Sequence, residues 1–558
     1  MRSWNQSLPT DFEYVSMAIE INPLAFRETM TSTFVALDWL VFVLYFVLLT
    51  LTGWWINRSG AKNSQEYFIG SHNIPTWLAA ISVLATAQSA ATFLGGPDSG
   101  YRSNLTYLAS TFGALMAAFF VGYFLIPRFY RYKVSTVYEL LELRFGSRAK
   151  KQAGLMYLFG RIFANGARLY MAAIAVSMIL FTDIALQHVI CSIALLCLVS
   201  LLYSIFGGIK SVIYGDALQC FVYVGAAVLV LLYLWSSIPA DFSSVWQALD
   251  RPPHNAASKL TLIDTNWDFS SAGAFNIYSS VTGLFLLYIA SFGLDQDLTQ
   301  RALTCKNARQ GSLAILWSVV LVVPVTLVFM LIGFLLHIFY QRPDLMAGSG
   351  AVMQSSQFSG ETITVFLYYV LHEMPAGLRG LVTVGVIAAA VSTLTSGLNS
   401  MASVIIQDLY KPWQQQRQLK SEQYYVGAAR ISMLCCAIAL ALMALLCFYW
   451  QQSSDMPLLT FALGVMVFSY SGLLGVYASA LFSQRGSPTS VLAALIGGFV
   501  ITLLMQPYLQ SYYLPPDWQF DLAFSWQLCI GFACSFIICQ LGKTSGSVAK
   551  TELNGVPA

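Results

Sequence analysis

Runs of about 20 apolar residues recur along nearly the whole chain, each long enough to cross about 30 Å of hydrocarbon as a helix. Thirteen are found, near 35–56, 75–100, 104–127, 153–182, 187–206, 215–237, 272–293, 312–340, 378–408, 425–449, 456–482, 487–508 and 521–541. With 57% of its 558 residues hydrophobic and 10% charged, the chain lacks the polar surface that a water-soluble fold needs. In lipid every backbone polar group must be paired internally, so the pattern predicts an all-α integral membrane protein.

Nineteen of the 29 Lys and Arg residues fall in one alternating set of connections, seven of them in 128–152. Because cytoplasmic loops keep positive charge, this set is expected to face the cytoplasm. The expected organisation is an extracytoplasmic N-terminal segment (1–34), a transmembrane domain (35–541) and a cytoplasmic tail (542–558). The net charge of +3 reflects the loop asymmetry and gives no reason to invoke nucleic acid. The ten cysteines include no CxxC pair, so neither a disulfide framework nor a zinc site is expected.

Four features depart from an ordinary lipid-facing helix. In "IAAAVSTLTSGLNS" (387–400), Ala389, Ser392, Thr393 and Ser396 follow helical spacing along one face, with Thr395 and Asn399 beside them. Such residues also serve helix packing, yet this density of oxygen suits a hard cation such as Na⁺, which must recover lost water ligands from hydroxyls, carbonyls or carboxylates. In "ISVLATAQSAATFLGGPDSGY" (81–101), Gly95-Gly96-Pro97 is expected to end the helix after a small, polar stretch from Ala85 to Thr92. Broken helices of this kind turn free carbonyls towards a cavity. Asp216 lies at the start of the 215–237 run, either an interfacial aspartate or a buried functional carboxylate. Arg168 lies deep in the 153–182 run, where it would clamp a substrate carboxylate or pair internally, whereas Arg161, nearer the end, is expected to snorkel to the cytoplasmic surface.

The stretches "SQEYFIGSHNIPTW" (64–77), "GGIKSVIYGDALQ" (207–219), "GLDQDLTQRALTCKNARQG" (293–311) and "GLRGLVTVGVIAAAVSTLTSGLNSMASVIIQDLYKPW" (377–413) occur in this order. In them the chain resembles the sodium/solute symporter family of sodium-coupled sugar, proline, sialic acid, vitamin and iodide carriers. The resemblance implies a LeuT-like core of two inverted five-helix repeats, about 75–237 and 272–482. It implies a first sodium site at Ala85, Gln88, Ala389, Ser392 and Thr393, and a second at Asp216, Thr395 and Ser396. It also implies substrate contacts at Gln88, Ser89, Thr92, Thr111, Tyr288 and Phe292, to which Arg168 is added from its depth in the membrane. Where sugar-carrying relatives have a glutamate and an asparagine this chain has Thr111 and Tyr288, a departure from that type of sugar site.

The expectation is sodium-coupled import of a small polar organic solute by alternating access, with one or two Na⁺ per turnover and a substrate carboxylate. A sugar or polyol symporter, or a carrier or sensor of the same fold without sodium coupling, stands as the alternative. No protein partner beyond the bilayer is indicated. An intramembrane aspartyl protease would need GxGD, but Ile213 precedes Tyr214-Gly215-Asp216; a serine type would need GxS, but Leu394 precedes Thr395-Ser396.

Overall fold

The computed structural model describes residues 34–56, 63–252, 257–346, 364–451 and 458–543. The segment before residue 34 and most of the expected tail lie outside the described residues. The described residues form helices joined by loops, without a strand. Their apolar helices are α1 (Ala36–Ile56), α2 (Thr76–Ala87), α3 (Ala90–Arg102), α4 (Thr106–Arg131), α5 (Ser147–Phe181), α6 (Leu186–Ile205) and α7 (Gly207–Ser236). After a long connection follow α8 (Ile277–Leu294) and the short polar α9 (Gln296–Leu303). The chain continues through α10 (Ala308–Gln341), α11 (Leu378–Gln415), α12 (Glu422–Trp450), α13 (Leu458–Phe482), α14 (Pro488–Leu504) and α15 (Phe524–Gln540).

The spans occupy different depths in the bundle. α11 is 94% buried over its most apolar window and α1 only 11%, so α11 is the axis of the bundle and α1 lies on its lipid-facing rim. This suits composition, since a helix rich in Ala, Ser, Thr and Gly lets its neighbours approach closely. α11 packs most extensively against α6 and α7, while α13, α14 and α15 pack chiefly on one another, with α13 also against α5 and α15 against α8. α1 is fastened by Asp38, which pairs with Arg379 at 3.0 Å and accepts the Gly377 and Gly380 N–H groups at 2.8 Å each.

Two expectations fail here. The break in the second span is not at Gly95-Gly96-Pro97 but at Gln88 and Ser89, where the backbone is extended and the axes of α2 and α3 bend by 67°. The helix runs through the glycines and Pro97. Close contact with α10 is made along this stretch instead: a Cβ on Gly96 would lie 2.9 Å from Phe329 Cβ, one on Gly100 2.4 Å from the Met330 carbonyl oxygen, and one on Gly333 of α10 2.1 Å from that of Pro97. Gly333→Ala is therefore expected to destabilise the protein by about 1–3 kcal/mol through overpacking against backbone; unfolding in mixed micelles measures it, and an unchanged stability would contradict this contact.

The second failure concerns Arg161. α5 starts at Ser147, ahead of the apolar run, so Arg161 sits about 21 Å along the helix and is buried. It does not reach the surface. α7 likewise starts at Gly207, which places Asp216 about 14 Å into the helix and fully buried rather than at an interface. The kink between α6 and α7 is made at Gly208, with φ 57°, where a Cβ would lie 2.6 Å from the Tyr67 carbonyl oxygen.

Candidate ion and substrate site

At the α2–α3 break, Gln88 (φ −80°, ψ 139°) and Ser89 (φ −140°, ψ 175°) leave helical geometry. Gln88 N–H still reaches the Leu84 carbonyl at 2.9 Å, but the carbonyls from Ala85 onward lose the regular helical donors beyond the break. α11 lies opposite. The Thr393 hydroxyl is 3.2 Å from the Gln88 carbonyl oxygen and 3.1 Å from that of Ala389, so three of the five residues expected at the first sodium site meet at one point. Ser392 turns the other way and donates to Asp216 Oδ1 at 2.7 Å. Ala85 stays in the last turn of α2, fully buried.

The residues expected at the second site are brought together in part. Asp216 Oδ2 accepts from Ser82 at 2.5 Å and lies 3.3 Å from Arg301 Nη2, which also donates to the Ser396 hydroxyl. Ser396 is 3.2 Å from the Thr86 hydroxyl. Thr395 instead donates to the Ser392 carbonyl of its own helix at 3.0 Å. A cation would thus find Asp216, Ser396, Ser82 and Thr86 converging, with a guanidinium already among them.

All seven expected substrate contacts line one cavity. Gln88, Ser89 and Thr92 come from the broken helix, Thr111 from α4, Arg168 from α5, and Tyr288 and Phe292 from α8. Gln88 Oε1 is buried there without a hydrogen-bond partner, an acceptor waiting for a donor or a cation. Tyr288 and Phe292 stack at 5.8 Å, giving an aromatic wall, and Thr111 bonds the Leu108 carbonyl of its own helix. Arg168 Nη2 points at Met466 Sδ at 3.2 Å, and among the described residues it makes no salt bridge.

Between cavity and ion site runs a buried charge network that motif reading missed. Arg161, which also lines the cavity, pairs with Asp295 at 2.8 Å and with Asp297; Asp297 pairs in turn with Arg301 at 3.2 Å. Tyr470 donates to Asp295 at 2.5 Å. The loop charges of "DQDLTQR" read as cytoplasmic, so Arg301 counted among the exposed positive residues, yet it is fully buried. The available signal was the i, i+4 spacing of Asp297 and Arg301 directly after a membrane span.

A multi-span protein with a helix interrupted in mid-bundle, bare carbonyls facing a hydroxyl-lined neighbour and a polar cavity alongside has the construction of an ion-coupled carrier. Residues 67–498 match the model of the sodium:solute symporter family, and the chain belongs to that family. A sodium/sialic acid symporter of Proteus mirabilis is 25% identical, the match covering 82% of this chain and 87% of that one. A sodium/glucose cotransporter of Vibrio parahaemolyticus is 26% identical over 68% and 69% respectively. The solved structure of a Na⁺-coupled sialic acid symporter, in a substrate-bound outward-open state, superposes with a TM-score of 0.75 at 23% identity, covering 91% of this chain and 98% of that one. The fold is LeuT-like, and the protein is a multi-pass membrane transporter importing a solute with Na⁺ as the co-transported ion, not an enzyme.

Proposed function

We propose that the cargo is a small sugar-like solute carrying a carboxylate, held by Arg168, and that Na⁺ binds first where the α2–α3 break meets α11. The observation that carries the cargo class is Arg168: a guanidinium lining a mid-membrane cavity, with no salt bridge among the described residues, is costly unless its counter-ion arrives with the substrate. The planar fork of donors matches a carboxylate in two bonds. The hydroxyls of Ser89, Thr92 and Thr111, with the Tyr288–Phe292 wall, suit the polar edge and apolar face of a sugar ring. Two relatives described as sodium/sialic acid symporters make a carboxylated sugar the natural first candidate.

In this reading Ala85, Gln88, Ala389, Ser392 and Thr393 form the first sodium site, and Asp216, Thr395 and Ser396 supply the second. An ion at the first site ties α2 to α11 and so fixes Gln88 and Ser89, which also line the substrate cavity. Ion and substrate then raise one another's affinity by the same factor. The two repeats, about 75–237 and 272–482, would each open on an interrupted helix, at Gln88–Ser89 and at Asp295, where the backbone is also extended. The N-terminus lies outside and the C-terminal tail in the cytoplasm.

Stoichiometry decides the energetics. One Na⁺ carried with a monovalent anion moves no net charge, so a tenfold sodium gradient supports only about tenfold accumulation. A second Na⁺ adds its own gradient and about 2.3 kcal/mol per 100 mV, raising the limit to roughly 5 × 10³-fold.

A thermal-shift screen of the purified protein tests the cargo class, using free carboxylated sugars, their methyl esters and neutral sugars, in Na⁺ and in K⁺. Stabilisation is expected from free acids in Na⁺ only, and Arg168→Gln is expected to remove it. Equal stabilisation by an acid and its ester would overturn the carboxylate reading.

A further inference from the structure

Arg301 is an unexpected occupant of the ion region. Its Nε donates to Ser82 Oγ at 3.0 Å, Nη2 lies 3.3 Å from Asp216 and donates to Ser396, and Nη1 lies 3.2 Å from Asp297 Oδ1 and donates to the Asp297 carbonyl. A cation at Asp216 and Ser396 would need the same two oxygens. The guanidinium is also shared: its contacts to the two carboxylates are 3.3 and 3.2 Å, longer than the 2.8 Å of Arg161 on Asp295 and longer than the usual range of a charge-assisted bond.

The network explains why it is shared. Among the described residues the salt bridges of Asp216, Asp295 and Asp297 all go to Arg161 and Arg301, so each of these two buried guanidinium groups is divided between two carboxylates. A monovalent cation at Asp216 would end this division, leaving Arg301 to Asp297.

We propose that Arg301 is a tethered place-holder for the second sodium ion: guanidinium and Na⁺ are alternative partners of Asp216 and Ser396. When the ion enters, Nη2 leaves these oxygens and the guanidinium settles on Asp297. Because Asp297 also holds Arg161, which lines the substrate cavity, this exchange carries the ion's arrival to the wall of the cargo site. Arg301 is thus a positioning residue for coupling. The inference rests on the second-ion reading of Asp216 given above.

Sodium binding to the purified full-length protein tests it in two variants of opposite charge. Arg301→Ala removes the competitor, and Asp297→Asn leaves Arg301 with Asp216 as its one carboxylate among the described residues while keeping the shape of the side chain. The half-saturating Na⁺ concentration at the Asp216 site is expected to fall about tenfold or more in Arg301→Ala and to rise by a similar factor in Asp297→Asn, the equivalent of one pairing exchanged. General electrostatics would give the same signs, so a further measurement separates occupancy from field. Millimolar guanidinium should compete with Na⁺ in Arg301→Ala, where it fits the vacated space, and leave the wild type unaffected. Absence of that competition, or shifts of the same sign in both variants, overturns the place-holder. Wild-type protein that binds no Na⁺ at all would refute the sodium-site reading itself, and the place-holder with it.

Discussion

Arg161→Met is expected to cost about 3–5 kcal/mol of stability, because it strips the partner from Asp295 and leaves Asp297 with Arg301 alone, all within the bundle. The cost arises less from the lost attraction than from the carboxylate left buried without compensation. Methionine retains most of the volume and keeps the packing term small. Combining it with Asp295→Asn should return part of the loss, since an amide carries no charge and still accepts from Tyr470. Unfolding in mixed micelles measures both; a single variant as stable as wild type would mean that the ion pair is not formed.

The second large effect falls on sodium dependence. In the double variant Ser392→Ala/Thr393→Ala, two hydroxyls disappear from the face of α11 that meets the break and Asp216. Taking the worth of a polar contact to a charged group as about 1.5–3 kcal/mol, the Na⁺ concentration for half-maximal uptake should rise at least ten- to hundredfold. Thr393→Ser, which keeps the oxygen, should shift it little. Uptake whose sodium dependence is unaltered in the double variant would show that the ion does not bind between α2 and α11.

The residues that could be read from sequence were those whose chemistry contradicts their surroundings. Oxygen in oil at 389–396, a carboxylate at Asp216 and a guanidinium at Arg168 stand out against apolar neighbours whatever the fold, and the structure puts Gln88, Ala389 and Thr393 at one point and all seven substrate candidates around one cavity. What misled was local punctuation. Gly-Gly-Pro is the strongest breaker in the second span, yet its Gly96 is spent on contact with Phe329 of α10, and the chain breaks at Gln88–Ser89, where the α11 hydroxyl of Thr393 can take up a freed carbonyl. Likewise, hydropathy marks where an apolar run begins but not where the helix does, so Arg161 and Asp216 lie deeper than their runs suggest.

The sequence alone determined the solvent, the number of apolar runs, the family and the residue types able to hold an ion, because each follows from local composition or from motifs that are short along the chain. Only the tertiary structure decided which charges meet. Arg301 is separated from Asp216 by 85 residues and from Ser396 by 95, and no periodicity links positions so far apart. Whether a charged side chain is a solvated loop residue or the partner of a buried carboxylate depends on which helices pack together, and that depends on the whole bundle at once.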